Sequence, residues 1–146
     1  MMPIDVYEQN MPSNFSEVDY PADNTYTKSR WALGKKLFYD TILSVDHSMS
    51  CASCHKPELA FSDDVALSQG VENRPGVQNS PTLANLVYHP YYTRAGGVPT
   101  LEMQVLVPLQ EHNEFDFNIV LAAERLAKDS AYVKMSMQAY GRTPDA

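Results

Sequence analysis

The chain has 146 residues and a formal net charge of −7, which is enough length for one domain with a modest core. No cluster of lysine or arginine is present to neutralise phosphates, so the composition argues against nucleic-acid binding, and an acidic surface would instead suit a basic protein partner. No apolar run approaches the ~20 residues that a membrane-spanning helix needs.

Residues 1–26 are rich in proline, asparagine, aspartate and serine and show no sustained hydrophobic period. This composition predicts an extended arm that lies over the domain or is partly disordered. The domain itself is expected to cover residues 27–146. Thr27 is a suitable N-cap for a helix that runs to Tyr39. The face of this helix that packs in the core, or against a cofactor edge, is predicted to contain Trp31, Gly34 and Phe38, flanked by Leu33 and Leu37.

A polar loop over residues 40–50 leads to the run Cys51-Ala52-Ser53-Cys54-His55. The Cys-x-x-Cys-His pattern is typical of c-type haem attachment, in which both thiols bond to the vinyl groups of the porphyrin and the histidine ligates the iron. The sequence therefore predicts covalently bound haem c on Cys51 and Cys54, with His55 as the proximal iron ligand.

Three other uses of the cysteine pair fit the sequence less well. A zinc ribbon needs four ligands, usually from two cysteine pairs, whereas the chain has 2 cysteines in all. A thioredoxin-like redox pair expects a preceding strand, and no alternating apolar strand leads into Cys51. A disulfide between Cys51 and Cys54 is sterically feasible, but it would not require the histidine that follows.

The segment after the haem motif is predicted to be mostly irregular. Residues 57–68 contain a short apolar element, and residues 69–79 form a loop punctuated by glycine and proline. Loops of this length in compact domains tend to be functional. Ser80 is expected to cap a short helix over residues 81–87, which has proline at its first position. Another loop follows over residues 89–99.

The last part of the chain is predicted to be helical. Thr100 caps a helix over residues 101–107, with Pro108 at its end. Gln104 and Pro108 share one face of the helix because residues at this spacing lie one above the other. The final two helices are predicted to run from the cap Asn118 to Lys128 and from the cap Ser130 to Tyr140, with Gly141 at the end. Helices alternate with loops and no hairpin signal occurs, so the predicted fold class is all-α.

These segments, in this order, resemble the amino-terminal haem domain of the bacterial di-haem cytochrome c peroxidases, a family that also includes a di-haem enzyme maturing tryptophan-derived quinone cofactors. The matching segments are residues 33–40, 43–44, 50–55, 79–83 and 101–104, with Pro108 and Glu114. The tail through residue 146 is similar to the helical lead-in to the family's second haem domain, which is absent from this chain. The resemblance implies a cytochrome c-like helical domain with long loops around a c-type haem.

Family members reduce hydrogen peroxide to water with electrons from a small cytochrome or copper protein. The electrons enter at the carboxy-terminal haem, and the amino-terminal haem meets peroxide, so the resemblance implies that this chain is the peroxide-facing half. His55 matches the proximal ligand, and Gln104, Pro108 and Glu114 match residues of the distal pocket. Asn79 matches a residue near a calcium site between the two haem domains, which makes calcium an expected cofactor of the full-length protein.

The chemistry agrees with these positions. Cleavage of peroxide at a haem needs a group that takes a proton from the near oxygen and delivers it to the far one, and a desolvated Glu114 with a raised pKa would do this. Gln104 would orient the peroxide by hydrogen bonding. From the residues alone, a solvated loop glutamate and a helix-surface glutamine are the competing interpretations.

The chain departs from the family in the loop before Asn79. Many members carry a distal histidine there, which ligates the oxidised haem and must leave before peroxide binds. Counting back from Asn79, this position is Val71, which cannot bind iron. We therefore expect a distal side that is open in the oxidised protein and reacts with peroxide without prior reduction. His112, two residues from Glu114, is the residue whose loop could bring an imidazole onto the iron instead.

A second departure precedes Leu101. The family commonly has a tryptophan that bridges the haems and an Asp-Gly-Arg run, whereas this chain reads Arg94-Ala95-Gly96-Gly97-Val98-Pro99. An electron bridge would have to use other residues, such as Tyr91 or Tyr92, and these tyrosines are equally consistent with packing.

Two other functions compete with a peroxidase domain. One is a mono-haem electron-transfer cytochrome with methionine as sixth ligand, for which the candidates are Met103, Met135 and Met137. The other is a haem-based sensor that uses the open site. Under the peroxidase interpretation, the partners are the second haem domain of the same chain, the electron donor and, in the full-length protein, a second copy in a homodimer.

Covalent haem attachment in bacteria takes place outside the cytoplasm, which predicts a periplasmic protein. Residues 1–5 have neither the basic nor the apolar region of an export signal, so we expect the start to be a processed or engineered boundary.

Overall fold

The computed structural model of the chain describes residues 11–146. The first ten residues of the predicted arm, and with them the boundary expected at the start, lie outside the described residues. Between residues 11 and 146 the regular structure is helical, with no strand. The α-helices are α1 (Lys28–Tyr39), α2 (Cys51–Cys54), α3 (Leu101–Gln104), α4 (Leu106–Gln110), α5 (Ile119–Lys128) and α6 (Ser130–Tyr140). Short 3-10 turns cover Thr41–Leu43, Pro57–Leu59, Val71–Asn73 and Leu86–Tyr88. The predicted all-α class is confirmed.

Helix α1 begins as predicted, because the hydroxyl of Thr27 accepts a hydrogen bond from the backbone N–H of Arg30 at 3.2 Å. Its buried face differs from the prediction. Leu33 is buried and, with Leu37, lines a shallow cavity against α6, whereas Trp31 remains 44% exposed. The prediction that Trp31 packs in the protein core is therefore wrong. The branched aliphatic side chains face α6, and the indole lies on the other side of the helix.

Polar contacts at both ends fix α1 to α6. Near its start, the Nε of Arg30 donates to the carbonyl of Ala139 at 3.2 Å. At its end, the buried hydroxyl of Tyr132 donates to the carboxylate of Asp40 at 2.8 Å. Asp129, rather than Ser130, caps α6 through hydrogen bonds to its carboxylate, because the aspartate lies one residue before the helix.

Helix α5 anchors the loop that leads into the haem motif. Asn118 caps it as predicted. Further along α5, the guanidinium of Arg125 donates to the carbonyls of Ile42 and Ser44, at 2.9 and 2.6 Å, and it lies 3.9 Å from the ring centre of Phe117. These carbonyls belong to the turn that comes after α1. Arg125 therefore connects α5 to the turn that precedes Cys51.

The helix predicted over residues 81–87 does not form. The backbone N–H of Ser80 donates to the carboxylate of Asp63 at 3.2 Å, and the hydroxyl of Thr82 donates to the carbonyl of Ala60. These bonds hold the segment against the 60–68 loop, and the hydroxyl of Ser80 lies 3.0 Å from the hydroxyl of Ser68 instead of capping a helix. Only the 3-10 turn at Leu86–Tyr88 follows.

The helix predicted over residues 101–107 is confirmed in position, but it is interrupted and extends past Pro108. Thr100 caps α3 by accepting from the backbone N–H of Met103 at 3.2 Å. The helical ladder then breaks before α4, which contains Pro108 and ends at Gln110. Proline has no N–H to donate to the carbonyl of Gln104, so the break is expected four residues before it. Val105 stays in the helical region, and α4 therefore continues from α3.

The core lies beside the haem motif. It consists of Met49, Val71, Leu109, Phe115, Phe117 and Ala122, with Cys51 and Cys54 among the partly buried residues packed against it. Residues 11–26 contain no helix or strand and contact the domain at separate points. Asn24 donates to the carboxylate of Glu102 at 2.8 Å and accepts from the hydroxyl of Tyr140 at 3.3 Å. None of the helices within residues 11–146 is both long and apolar enough to cross a membrane.

Candidate functional site

A single helical turn presents the two cysteines and the histidine. The backbone N–H of Ser50 donates to the hydroxyl of Ser53 at 3.0 Å, which fixes the start of α2. The backbone N–H of His55 donates to the carbonyl of Cys51 at 2.9 Å, so the histidine directly follows the turn. Cys51 and Cys54 lie three residues apart on this turn and therefore point to the same side.

The ring of His55 is held by a backbone carbonyl. Its Nδ1 lies 2.8 Å from the carbonyl oxygen of Phe61, and because a carbonyl only accepts, Nδ1 must carry the proton. Nε2 then has a free lone pair, as a metal-binding histidine requires. The carbonyl is placed by two successive left-handed residues, Ala60 at φ 53° and Phe61 at φ 59°. Sequence reasoning missed Phe61, because alanine and phenylalanine give no signal for that conformation.

The environment of the cysteines is unlike that of a reactive redox pair. Burial raises the pKa of the Cys51 thiol to about 11, and burial is also the main reason that the pKa of Cys54 is raised. Thioredoxin-like pairs instead lower the pKa of one thiol. The two cysteines are free, not joined as a disulfide. Two partly buried thiols and an imidazole with a bare Nε2 fit the attachment groups and iron ligand of a c-type haem.

Gln104 carries an unsatisfied polar atom. Its Oε1 is buried and has no hydrogen-bond partner among the described residues. A buried unpaired acceptor costs on the order of 1–3 kcal/mol, so such atoms usually have a ligand or water as partner. Pro108 lies half-buried on the same helical face, in α4. Gln104 is thus half-buried, with its amide oxygen enclosed.

Glu114 is a partly buried acid. Burial raises its pKa, and the neighbouring charge of Glu111 raises it further. The Sγ of Cys54 lies 3.7 Å from the carbonyl oxygen of Gln69, and the next residue, Gly70, packs against the backbone of Glu114, so the Glu114 loop lies near the attachment motif. The loop turns through a bond from the N–H of Glu114 to the carbonyl of Glu111 at 3.0 Å. Glu114 is therefore half-buried in its loop.

Besides His55, neither Val71 nor any histidine presents an iron ligand near the attachment motif. Val71 is 0% exposed in the core, and its backbone N–H donates to the carbonyl of Glu114 at 2.9 Å. The side chain of His112 is 68% exposed and contacts Arg74 and Asp116. His47 and His89 are exposed.

Asn79 has a cationic partner from the chain itself. The guanidinium of Arg94 donates to its side-chain oxygen at 2.7 Å and to its backbone carbonyl at 3.3 Å. No group of acidic, histidine or cysteine side chains suited to a metal ion occurs within residues 11–146.

The remaining candidates are spread over the surface. Tyr91 is exposed, as are Met103 and Met137, whereas Tyr92 and Met135 are half-buried. Met103 precedes Gln104 in α3 but does not share its buried position.

Comparison with known proteins agrees with this arrangement. A family profile described as "Di-haem cytochrome c peroxidase" matches residues 28–146. The chain belongs to this family. The methylamine utilization protein MauG of Methylorubrum extorquens is 33% identical over 124 residues, which cover 85% of this chain and 35% of that protein. The cytochrome c551 peroxidase of Pseudomonas aeruginosa is 33% identical over 108 residues, covering 74% of this chain and 31% of that protein.

The chain thus spans about a third of the length of these curated relatives of the di-haem cytochrome c peroxidase family. Among solved structures, a MauG-like protein associated with microbial copper homeostasis matches with a TM-score of 0.88 and 27% identity, over 96% of this chain and 43% of that chain. The diheme peroxidase BthA from Burkholderia thailandensis matches with a TM-score of 0.70 at 23% identity, over 80% of this chain and 34% of that chain, which supports the fold alone. The family predicted from the motifs is confirmed, and a di-haem cytochrome family implies haem c as cofactor.

Proposed function

We propose that this chain is the peroxide-facing haem domain of a longer di-haem peroxidase, which reduces hydrogen peroxide to water with electrons from a small cytochrome or copper protein. The observation that carries the proposal is the position of Glu114. It is a partly buried carboxyl with a raised pKa, close enough to influence the thiol of Cys54. An electron carrier has no use for such a group beside its haem, whereas peroxide cleavage needs one.

The residues of this chain would share the work as follows. Cys51 and Cys54 hold the haem, whose iron supplies the binding site and the electrons for peroxide. His55, oriented by the carbonyl of Phe61, donates Nε2 to that iron. Gln104 would bind peroxide through its unpaired Oε1, which accepts a hydrogen bond from the O–H group. That bond orients the peroxide toward Glu114.

Glu114 would act as the proton shuttle. Its carboxylate would take the proton from the peroxide oxygen that faces the haem and return it to the far oxygen, which leaves as water with the electron pair of the broken O–O bond. Burial suits both halves of this task, because a raised pKa makes the carboxylate a stronger base while the acid can still give the proton away. Pro108, on the face of Gln104, limits the space on that side of the pocket.

The proposal includes a distal side without an internal ligand. Val71 has no donor atom, and His112 is held at the surface by Arg74 and Asp116. The whole protein is proposed to be periplasmic, to pass electrons from its donor through a second haem domain, and to form a homodimer. Calcium, if used, would need ligands from that second domain in addition to Asn79.

The test is the spectrum of the oxidised, haem-loaded chain, followed by rapid mixing with peroxide. We expect a high-spin ferric haem that reacts without prior reduction, and His112→Ala should leave the spectrum unchanged. A low-spin spectrum with the weak far-red band of methionine ligation would contradict the proposal and support the mono-haem electron carrier. A low-spin spectrum that becomes high-spin in His112→Ala would identify His112 as a distal ligand and contradict the open site.

A further inference from the structure

The loop that carries Glu114 rests directly on the backbone of a second loop, over residues 69–75. The N–H of Val71 donates to the carbonyl of Glu114 at 2.9 Å. Beside it, the two loops meet at Gly70. A Cβ added there would lie 2.1 Å from the carbonyl oxygen of Asn113 and 2.8 Å from the Cα of Glu114. No side chain separates the loops at this point. A small displacement of one loop therefore displaces the other.

One side chain joins the two loops from outside this contact. The guanidinium of Arg74 donates from Nη2 to the carboxylate of Asp116 at 2.7 Å, and its Nε donates to the carbonyl of Val71 at 3.2 Å. Its Nη1 lies 2.9 Å from the Nε2 of His112, whose Nδ1 lies 3.2 Å from the same carboxylate of Asp116. Arg74 thus contacts residues two positions before and two positions after Glu114.

The backbone around these contacts contains left-handed residues. Glu72, Asn73 and Asp116 have φ values of 57°, 58° and 50°. Asparagine and aspartate adopt this conformation readily, whereas for a glutamate it is unfavourable and is kept only where surrounding contacts enforce it. The loop of Val71 is therefore strained at Glu72, and the guanidinium of Arg74 links this loop to Asp116.

We propose that Arg74 is a positioning residue for Glu114, which fixes the carboxylate beside the haem by clamping residues 112 and 116 to the loop of Val71. This inference rests on the proposed role of Glu114 as the proton shuttle. Arg74 does not touch the reacting atoms. Its effect is transmitted through the backbone contact of Val71 and Gly70 with the Glu114 loop.

Replacing Arg74 would shift the pKa of Glu114 in one direction if Arg74 acts by its charge, and in the opposite direction if it acts by positioning the loop. Loss of a nearby cation would raise the pKa of Glu114, whereas a loosened loop would admit water and lower the pKa toward its usual value. The charge of Glu111, which also raises the pKa of Glu114, stays in place in both cases. The direction of the shift therefore separates the two explanations.

The experiment compares the haem-loaded chain with Arg74→Gln, Arg74→Lys and the control Arg142→Gln, which breaks an exposed ion pair elsewhere on the surface. Hydrogen exchange measured by mass spectrometry reports peptides over residues 69–75 and 111–117. Rapid mixing with peroxide at a series of pH values gives the acid limb, which is the fall in reaction rate at low pH as Glu114 becomes protonated. For Arg74→Gln we expect about tenfold faster exchange in both peptides, a slower peroxide reaction and an acid limb moved to lower pH. Arg74→Lys should restore little, because an ammonium cannot reproduce the planar fork.

An acid limb that moves to higher pH in Arg74→Gln would overturn the proposal, as would faster exchange with an unchanged rate profile. If Arg74→Gln does not fold, Asp116→Asn weakens the same contact from the other side. Its hydrogen exchange and acid limb are then judged by the same criteria. Glu114→Gln separates this inference from the proposed function. If it leaves the peroxide rate unchanged, the role of Glu114 fails, whereas a slowed Glu114→Gln beside an unaltered Arg74→Gln defeats only the clamp.

Discussion

Burial of Glu114 costs stability when its carboxyl group is ionised, which is the form proposed to take a proton from peroxide. Because burial raises its pKa, the folded chain binds this proton more tightly than the unfolded chain, so its contribution to stability falls as pH rises from the usual glutamate pKa through the raised one. At neutral pH the full penalty is present. We therefore predict that Glu114→Gln raises the melting temperature at pH 7 and loses this advantage near pH 4. Scanning calorimetry at the two pH values, with the exposed Glu124→Gln as control, checks this, and an equal gain at both pH values would contradict it.

The same substitution should slow peroxide cleavage by roughly 10²–10⁴-fold, the range typical of a lost acid or base. The spin state of the ferric haem should not change, because Glu114 is not proposed to bind iron. Stopped-flow absorbance gives both quantities in one experiment. A variant that reacts with peroxide as fast as the parent chain would remove Glu114 from the mechanism.

Val71 is tested by a substitution that introduces the ligand it lacks. At 0% exposure an imidazole has no room and no polar partner in the core, so Val71→His should cost on the order of 1–3 kcal/mol of stability. The loop must then turn outward, and we predict that the histidine reaches the iron and converts the ferric haem to low spin. Val77→His, in the same loop at 84% exposure, should change neither property. A high-spin, stable Val71→His variant would show that this position does not face the haem.

At the scale of the elements, two glycines give opposite predictions. Gly34 lies within α1 with nothing within 4 Å of an added Cβ, so Gly34→Ala should stabilise the chain by about 0.5–1 kcal/mol. Gly70 meets the backbone of Asn113, so Gly70→Ala should separate two loops and destabilise it. Chemical denaturation of both variants measures the difference. A destabilised Gly34→Ala would mean that this face of α1 is already occupied.

The helices that the sequence predicted well are those whose signals are local. Thr27, Thr100 and Asn118 cap helices because each side chain reaches the backbone of its own first turn. The prediction over residues 81–87 was wrong because Ser80 and Thr82 bond to a distant loop instead.

The candidate site divides in the same way. Its chemistry-bearing residues, Cys51, Cys54 and His55, are contiguous and could be recognised as a motif. The carbonyl of Phe61, the ion pair of Arg74 and the exposed position of Trp31 depend on which segments meet in three dimensions. No local pattern in the sequence encodes these contacts.

At the scale of the whole molecule, the long loops between α2 and α3 imply that the cofactor contributes to the core. A ligand bound only by the folded state stabilises that state, so the haem-loaded chain should melt at a clearly higher temperature than the haem-free variant Cys51→Ala/Cys54→Ala. Circular dichroism on heating measures both. Coincident melting curves would show that the fold does not depend on haem.

The length of the chain leads to a prediction about turnover. It spans about a third of its curated relatives, and electrons are proposed to enter through the second haem domain. The 146-residue chain should therefore react once with peroxide but oxidise a reduced small cytochrome only slowly in the steady state. Rapid continuous oxidation of that donor by this chain alone would place electron entry within residues 1–146.

The contacts of the amino-terminal arm constrain the order in which the chain can fold. Its hydrogen bonds to Tyr88, Glu102 and Tyr140 join residues separated by 72, 78 and 116 positions. Contacts of such long range carry a large loop-closure entropy and form late. Residues 16 and 24 are synthesised before these three partners, so their contacts form only after α3 and the end of α6 exist to receive Asn24. The part of the arm that contains them therefore reaches its final position late in folding.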